Sequence, residues 1–84
     1  MKVKYRSYCK RGADSDFWVE ECMSRYTGEQ GILVSGGGKA PREFVHPSYA
    51  VAYLSDQREK EGRKVPNLVI AKLRERALEQ DGLL

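Results

Sequence analysis

The chain has 84 residues, of which 40% are hydrophobic and 32% are charged, and its formal net charge is +3. This length suits one compact domain, residues 1–84, and excludes two domains and most stand-alone enzymes. No apolar run approaches the roughly 20 residues that cross a bilayer, and the N-terminus is charged where a signal peptide is apolar, so we expect a cytoplasmic protein without a membrane partner.

The first predicted element is a strand over residues 2–9, in which side chains of different character alternate. The face expected to be buried carries Val3, Tyr5, Ser7 and Cys9. The outer face carries Lys2, Lys4, Arg6 and Tyr8. Basic side chains along a strand can each neutralise a phosphate, and lysines also protect an edge strand from pairing with other chains. Both interpretations of this basic face stay open.

A helix is predicted to follow the strand and to end by Gly28. The residues that can cap its N-terminus are Asp14, Ser15 and Asp16. The apolar residues spaced four apart are Trp18, Cys22 and Tyr26. This spacing is typical of the buried face of a helix, and acidic side chains early in the segment suit the positive end of the helix dipole.

A β-hairpin is predicted next, because two short strand-like runs at residues 31–35 and 42–46 flank a glycine-rich segment at 36–41. The tip of this hairpin is expected to be flexible and positively charged. The glycine spacing resembles a phosphate-binding loop, but Lys39 does not directly follow the second glycine and precedes Ala40. We therefore interpret the glycines as turn residues that permit positive φ.

Two further helices are predicted to begin at prolines, which suit the first helical position. One runs from Pro47 to about Glu61, where Gly62 can cap it. The other runs from Pro66 to about residue 80. Its apolar face consists of Val69, Ile70, Leu73 and Ala77.

The predicted fold class is therefore α+β, with a small antiparallel sheet, formed by the N-terminal strand and the glycine-tipped hairpin, packed with three helices. Residues 43–84 contain seven basic and seven acidic side chains. This balance suits contact with another protein, or a homodimer through the C-terminal helices.

His46 is the only histidine, and a general base needs a nucleophile and an orienting partner around it. Folding could bring Ser35, Ser48 or Cys22 near it, but the sequence assigns neither partner. The position before Pro47 favours a capping or packing role, so we expect no catalytic residue and no enzyme. Cys9, Cys22 and His46 offer three ligands where structural zinc takes four, so we expect reduced thiols, no metal and no cofactor.

The excess of basic residues lies in the first half of the chain, where residues 1–42 contain eight basic and five acidic side chains. Aromatic residues interleaved with basic ones are typical of proteins that stack bases and follow a phosphate backbone. The residues predicted to bind nucleic acid are Lys4, Arg6, Tyr8, Lys10, Arg11, Lys39 and Arg42.

Three glycines at residues 36–38, followed by FVHPSYA at residues 44–50, resemble the glycine-rich turn and the aromatic-Val-His-Pro-x-x-Ala signature of KilA-N domains. These domains are DNA-binding modules common in phages and large DNA viruses. The resemblance implies a phage-type protein in the cytoplasm of a host cell, with DNA as its partner and the hairpin as a wing. The alternative hypothesis is a phage-type inhibitor or adaptor that binds a host protein and has no enzymatic activity.

Overall fold

The computed structural model describes residues 5–24 and 28–82. Its elements, in chain order, are β1 (Ser7–Cys9), β2 (Phe17–Met23), β3 (Gln30–Gly36), β4 (Lys39–Phe44), α1 (Pro47–Glu61) and α2 (Asn67–Gln80). The four strands form one antiparallel sheet in the order β1-β2-β3-β4, so β1 and β4 are its two edges. The α+β class and the antiparallel sheet are confirmed, but the described residues contain two helices and not three.

The segment predicted as the first helix contains strand β2. Phe17, Val19 and Glu21 are buried, whereas Trp18 between them is 42% exposed. Burial therefore repeats every second residue, as in a strand. The helix prediction depended on a spacing of four residues, which is an even number and places Trp18 and Cys22 on one face of a strand as well. Tyr26, the third residue of that stripe, lies outside the described residues.

Ser15, a predicted helix cap, instead holds the chain at the start of β2. Its hydroxyl donates to the carbonyl of Phe17 at 2.9 Å and accepts from the amide of Phe17 at 3.1 Å. Ser and Asp side chains bond nearby backbone groups in turns as readily as at helix ends, so the same residue types suit either structure.

The hydrophobic core lies between one face of the sheet and the two helices. Phe17 and Val19 of β2 and Ile32 and Val34 of β3 point to this face, and the side chains that meet them from the helices are Ala50, Val51, Leu54, Val69, Ile70 and Leu73. Neither helix of the described residues is long and apolar enough to cross a membrane.

The bounds of both C-terminal helices agree with the prediction to within a residue. Pro47 occupies the first turn of α1, and Gly62 ends that helix in the left-handed conformation at φ 65°. Asn67 opens α2 directly after Pro66. The helices are antiparallel, because Arg58 near the end of α1 donates to Asn67 at the start of α2 at 2.7 Å, and His46 before α1 contacts Asp81 after α2 at 2.7 Å.

The hairpin turn is tighter than predicted, since β4 already begins at Lys39. Gly37 lies directly against the ring of Phe17: a Cβ atom at this position would be 2.4 Å from the ring, and the φ angle is +65°. Only glycine meets both conditions without strain.

We expect Gly37→Ala to lower the free energy of unfolding by about 1–3 kcal/mol, since it adds overpacking to an unfavourable φ. Gly12→Ala is the matched control, because a Cβ there has nothing within 4 Å and no positive φ is involved. Urea denaturation measures both variants. Equal stability of the two variants would contradict the close contact with Phe17.

Leu73→Ala should lower the free energy of unfolding by about 2–5 kcal/mol, because this fully buried side chain joins α2 to the core. Leu68 lies on the same helix but is 62% exposed. Leu68→Ala should therefore change stability by no more than about 0.5 kcal/mol. Thermal unfolding of the two variants checks this difference. Similar losses of stability in both would mean that α2 packs against the core through a different face.

Candidate nucleic-acid interface

The predicted binding residues do not form one continuous strip. Arg6 and Lys10 flank β1, whereas Lys39 and Arg42 lie on β4, at the opposite edge of the sheet. Three strand spacings of about 4.8 Å, roughly 14 Å in all, separate these edges. Lys4 lies outside the described residues.

Tyr8 is not on an exposed basic face, and that part of the prediction is wrong. Its side chain is 6% exposed and belongs to the core cluster, whereas Ser7 is exposed. Burial raises the pKa of the Tyr8 hydroxyl, and the charge of Glu21 acts in the same direction. The inward and outward side chains of β1 are therefore exchanged relative to the prediction. Tyr8, the largest apolar side chain of this strand, points to the face of the sheet that the helices cover.

The two predicted cations of β4 already have intramolecular partners. The Lys39 ammonium lies 2.6 Å from Glu61, and hydrogen bonds from Lys39 and then from Gln57 lower the pKa of the Glu61 carboxyl. The Arg42 guanidinium lies over two aromatic rings, 4.9 Å from the centroid of Tyr53 and 5.4 Å from that of Phe44. Both groups are therefore less available to a ligand than their sequence positions indicate.

Asp16 brings three connections together at one end of the sheet. Its amide donates to the carbonyl of Lys64 at 3.0 Å, and its carboxylate accepts from the amide of Lys64 at 2.6 Å. Its carbonyl accepts from the amide of Gly37 at 3.0 Å. The β1–β2 loop, the β3–β4 turn and the α1–α2 loop therefore meet at this residue.

Four cations lie in the β1–β2 and α1–α2 loops at this end of the sheet, and we call them the basic end: Lys10, Arg11, Arg63 and Lys64. A Cβ on Gly36 would lie 3.1 Å from the Arg11 side chain, and one on Gly38 would lie 3.4 Å from the Arg63 guanidinium, so these arginines flank the turn. The Lys64 ammonium contacts a carbonyl, that of Ala13, at 3.4 Å. Within residues 5–24 and 28–82, none of the four forms an ion pair with a carboxylate.

The sequence prediction included Lys10 and Arg11 but missed Arg63 and Lys64. Counting charge by halves of the chain hid them, because the C-terminal half is balanced as a whole. The available signal was local: an Arg-Lys pair directly follows Gly62, the residue that ends α1. Loops that follow helices run over the surface, and here Lys64 is exposed while Arg63 is half-buried.

The other candidate groups of the sequence are placed as follows. Both cysteines are free thiols, and burial raises the pKa of Cys22, with Glu43 and then Glu20 acting in the same direction. Across the described parts of the chain, no cluster of three or more His, Cys, Asp or Glu side chains could hold a metal.

His46 caps α1 by accepting from the amide of Ser48 at 3.1 Å, which confirms the capping role.

Comparisons of the chain with protein-family models, with curated proteins and with solved structures find no match. The resemblance to KilA-N domains therefore stays a hypothesis. Function has to be inferred from the geometry and the charges of this molecule.

Tyr8→Ala should lower the free energy of unfolding by about 3–5 kcal/mol, as expected for a large side chain removed from a core. Tyr8→Leu keeps an apolar side chain in the core without the ring and should keep nucleic-acid binding at the wild-type level, on single strands as well as duplex. Denaturation and binding titrations measure the two effects. A selective loss of single-strand binding in a folded Tyr8→Leu protein would restore a base-stacking role for this residue.

Proposed function

We propose that this protein binds the phosphates of nucleic acid through the basic end. The observation that supports the proposal is that Arg11 and Arg63 flank the glycine turn, with Lys10 and Lys64 next to them in the same two loops. None of the four forms an ion pair with a carboxylate in the described chain. Unpaired cations on one surface attract a polyanion and release its counterions on binding.

The glycine turn between these cations favours close approach. Gly38 is exposed at the tip of the turn, so the backbone of a ligand can approach the turn there, whereas the Phe17 ring closes the turn at Gly37. Guanidinium groups on both sides of such a turn suit phosphate oxygens, because they donate several hydrogen bonds in a fixed geometry. DNA binding at the end of the β3–β4 hairpin also agrees with the wing that the KilA-N resemblance implies.

Phosphate contacts position a protein without reading base sequence, so the proposed binding is not sequence-specific. Lys39 and Arg42 have secondary parts in this proposal. Lys39 can contact a phosphate when it leaves Glu61, and Arg42 stays on its aromatic rings.

The test neutralises two cations of the basic end that form no ion pair with a carboxylate in the described chain. In Arg11→Gln/Lys64→Gln, the backbone bonds of Lys64 to Asp16 remain. The matched control, Lys72→Gln/Arg74→Gln, removes the same charge from exposed positions of α2. Fluorescence polarisation with a labelled duplex of about 20 base pairs measures affinity at about 50 and about 200 mM salt.

If four phosphates are neutralised, wild-type affinity should fall about 100-fold between these salt concentrations, because the logarithmic slope is about 0.9 per phosphate. Two remaining contacts should reduce this fall to about tenfold in Arg11→Gln/Lys64→Gln, whereas the control should keep the wild-type slope. Unrelated duplex sequences should give the same result.

Two outcomes would contradict the proposal. Equal losses in both double variants would mean that net charge, and not the basic end, governs binding. Absence of salt-dependent binding by the wild type would leave the host-protein alternative, for which a pull-down from host lysate is then the next experiment.

A further inference from the structure

The sheet has a second face, which the two helices do not cover. Leu33 lies between two buried residues of β3 that point to the helices, so its own side chain points to the opposite face. Residues paired across antiparallel strands share a face, and Leu33 pairs with Glu20 of β2 on one side and with Glu43 of β4 on the other. Trp18, two residues before Glu20, points the same way. We call these four residues the open face.

The centre of the open face is apolar. Trp18 is 42% exposed and is the only tryptophan of the chain, and Leu33, on the neighbouring strand, is half-buried. Tryptophan is enriched among the few residues that carry most of the binding energy at protein interfaces. The two side chains therefore offer a partner an aromatic ring next to an aliphatic surface.

Carboxylates lie on both sides of this apolar centre. Glu20 and Glu43 flank Leu33 across two strand spacings, about 10 Å in all. Neither carboxylate forms an ion pair in the described chain. Burial raises the pKa of the Cys22 thiol on the same side of the sheet, and Glu43 and then Glu20 act in the same direction. The open face is therefore negative, although the net charge of the chain is +3.

The Glu43 carboxylate also lacks hydrogen bonds. One of its oxygens is enclosed and has no hydrogen-bond partner among the described residues. An incompletely hydrated carboxylate is costly unless a donor or a cation compensates it. The cations of the same strand do not do so, because both contact α1. Lys39 pairs with Glu61, and Arg42 lies over the ring of Tyr53.

These charges select the kind of partner. A two-fold interface uses the same surface of both copies, so two open faces packed together would gather four carboxylates without a cation. A nucleic acid, as a polyanion, would be repelled as well. A cationic partner is attracted to the same carboxylates, so charge complementarity favours it over both alternatives.

We propose that the open face docks an extended, arginine-containing segment of a partner protein. Alternate residues of an extended chain lie about 7 Å apart, as Trp18 and Glu20 do along β2, so arginines at alternate positions match both. One guanidinium stacks on the Trp18 ring, and the other pairs with Glu20 while its aliphatic stem lies on Leu33. Arginine fits better than lysine, because a planar guanidinium stacks on rings and donates parallel hydrogen bonds to a carboxylate.

The experiment measures binding of the fluorescein-labelled peptide GRTRTRG to the full chain by fluorescence polarisation at about 50 mM salt. Three comparison peptides change one property each: GKTKTKG has lysines, GTRRRTG has consecutive arginines, and GETETEG has the opposite charge. We expect GKTKTKG and GTRRRTG to bind at least about threefold more weakly than GRTRTRG, and GETETEG not to bind. Unlabelled GRTRTRG should shift the emission of Trp18 to shorter wavelengths, because the bound segment removes water from the ring.

Variants locate the binding on the open face. Glu20→Gln/Glu43→Gln should weaken binding of GRTRTRG about tenfold, because it removes two charges and keeps the size of both side chains. The matched control, Glu59→Gln/Glu75→Gln, removes the same charge from exposed positions of α1 and α2 and should bind like the wild type. Trp18→Leu should weaken binding about threefold. Melting temperatures verify that each variant is folded.

Equal affinities of Glu20→Gln/Glu43→Gln and its control would overturn the proposal, as would equal affinities of the four peptides. A shift of the Trp18 emission with protein concentration alone would also overturn it, because a second copy would then occupy the open face. Arg11→Gln/Lys64→Gln leaves the open face intact and should keep the affinity for GRTRTRG. Failure of the nucleic-acid proposal is therefore distinguishable from failure of this one.

Discussion

The hydrogen bonds of Asp16 determine how the three connections at one end of the sheet are arranged. Its amide and carboxylate bind the backbone of Lys64, and its carbonyl binds Gly37, while the adjacent Phe17 packs beneath the same turn. Without these bonds, nothing would hold the two loops that carry the four cations of the basic end next to each other. The bonds that hold them use the backbone of Lys64, so the cationic side chains stay available for ligands.

The antiparallel arrangement of α1 and α2 produces two chemically different ends. At one end the helix connection joins the glycine turn and the cations gather. At the other end the N-terminus of α1 meets the C-terminus of α2, and His46 joins Asp81 at 2.7 Å. Between the ends the helices form the core on one face of the sheet.

A buried ion pair secures α2 to the sheet between these ends. Glu21 is 8% exposed, and its carboxylate accepts from the Arg76 guanidinium at 3.1 Å and from the amide of Arg6 at 2.9 Å. Arg76 also donates to Gln30 at 3.1 Å. A buried carboxylate needs such partners, because loss of hydration is costly unless hydrogen bonds replace it. The charge of Arg76 therefore serves the fold, like those of Lys39 and Arg42.

Local chemistry in the sequence determined the class of the fold, the bounds of α1 and α2 and the glycine turn, because prolines, caps and positive φ act within a few residues. Tertiary structure decided the remainder. The four-residue spacing of Trp18 and Cys22 suits a helix or a strand equally, and pairing of β2 with β3 selected the strand. The helices cover one face of the sheet, and Tyr8 points to that face. Contacts between residues far apart in the chain bring Arg63 to the same turn as Arg11. They also place Asp81 beside His46.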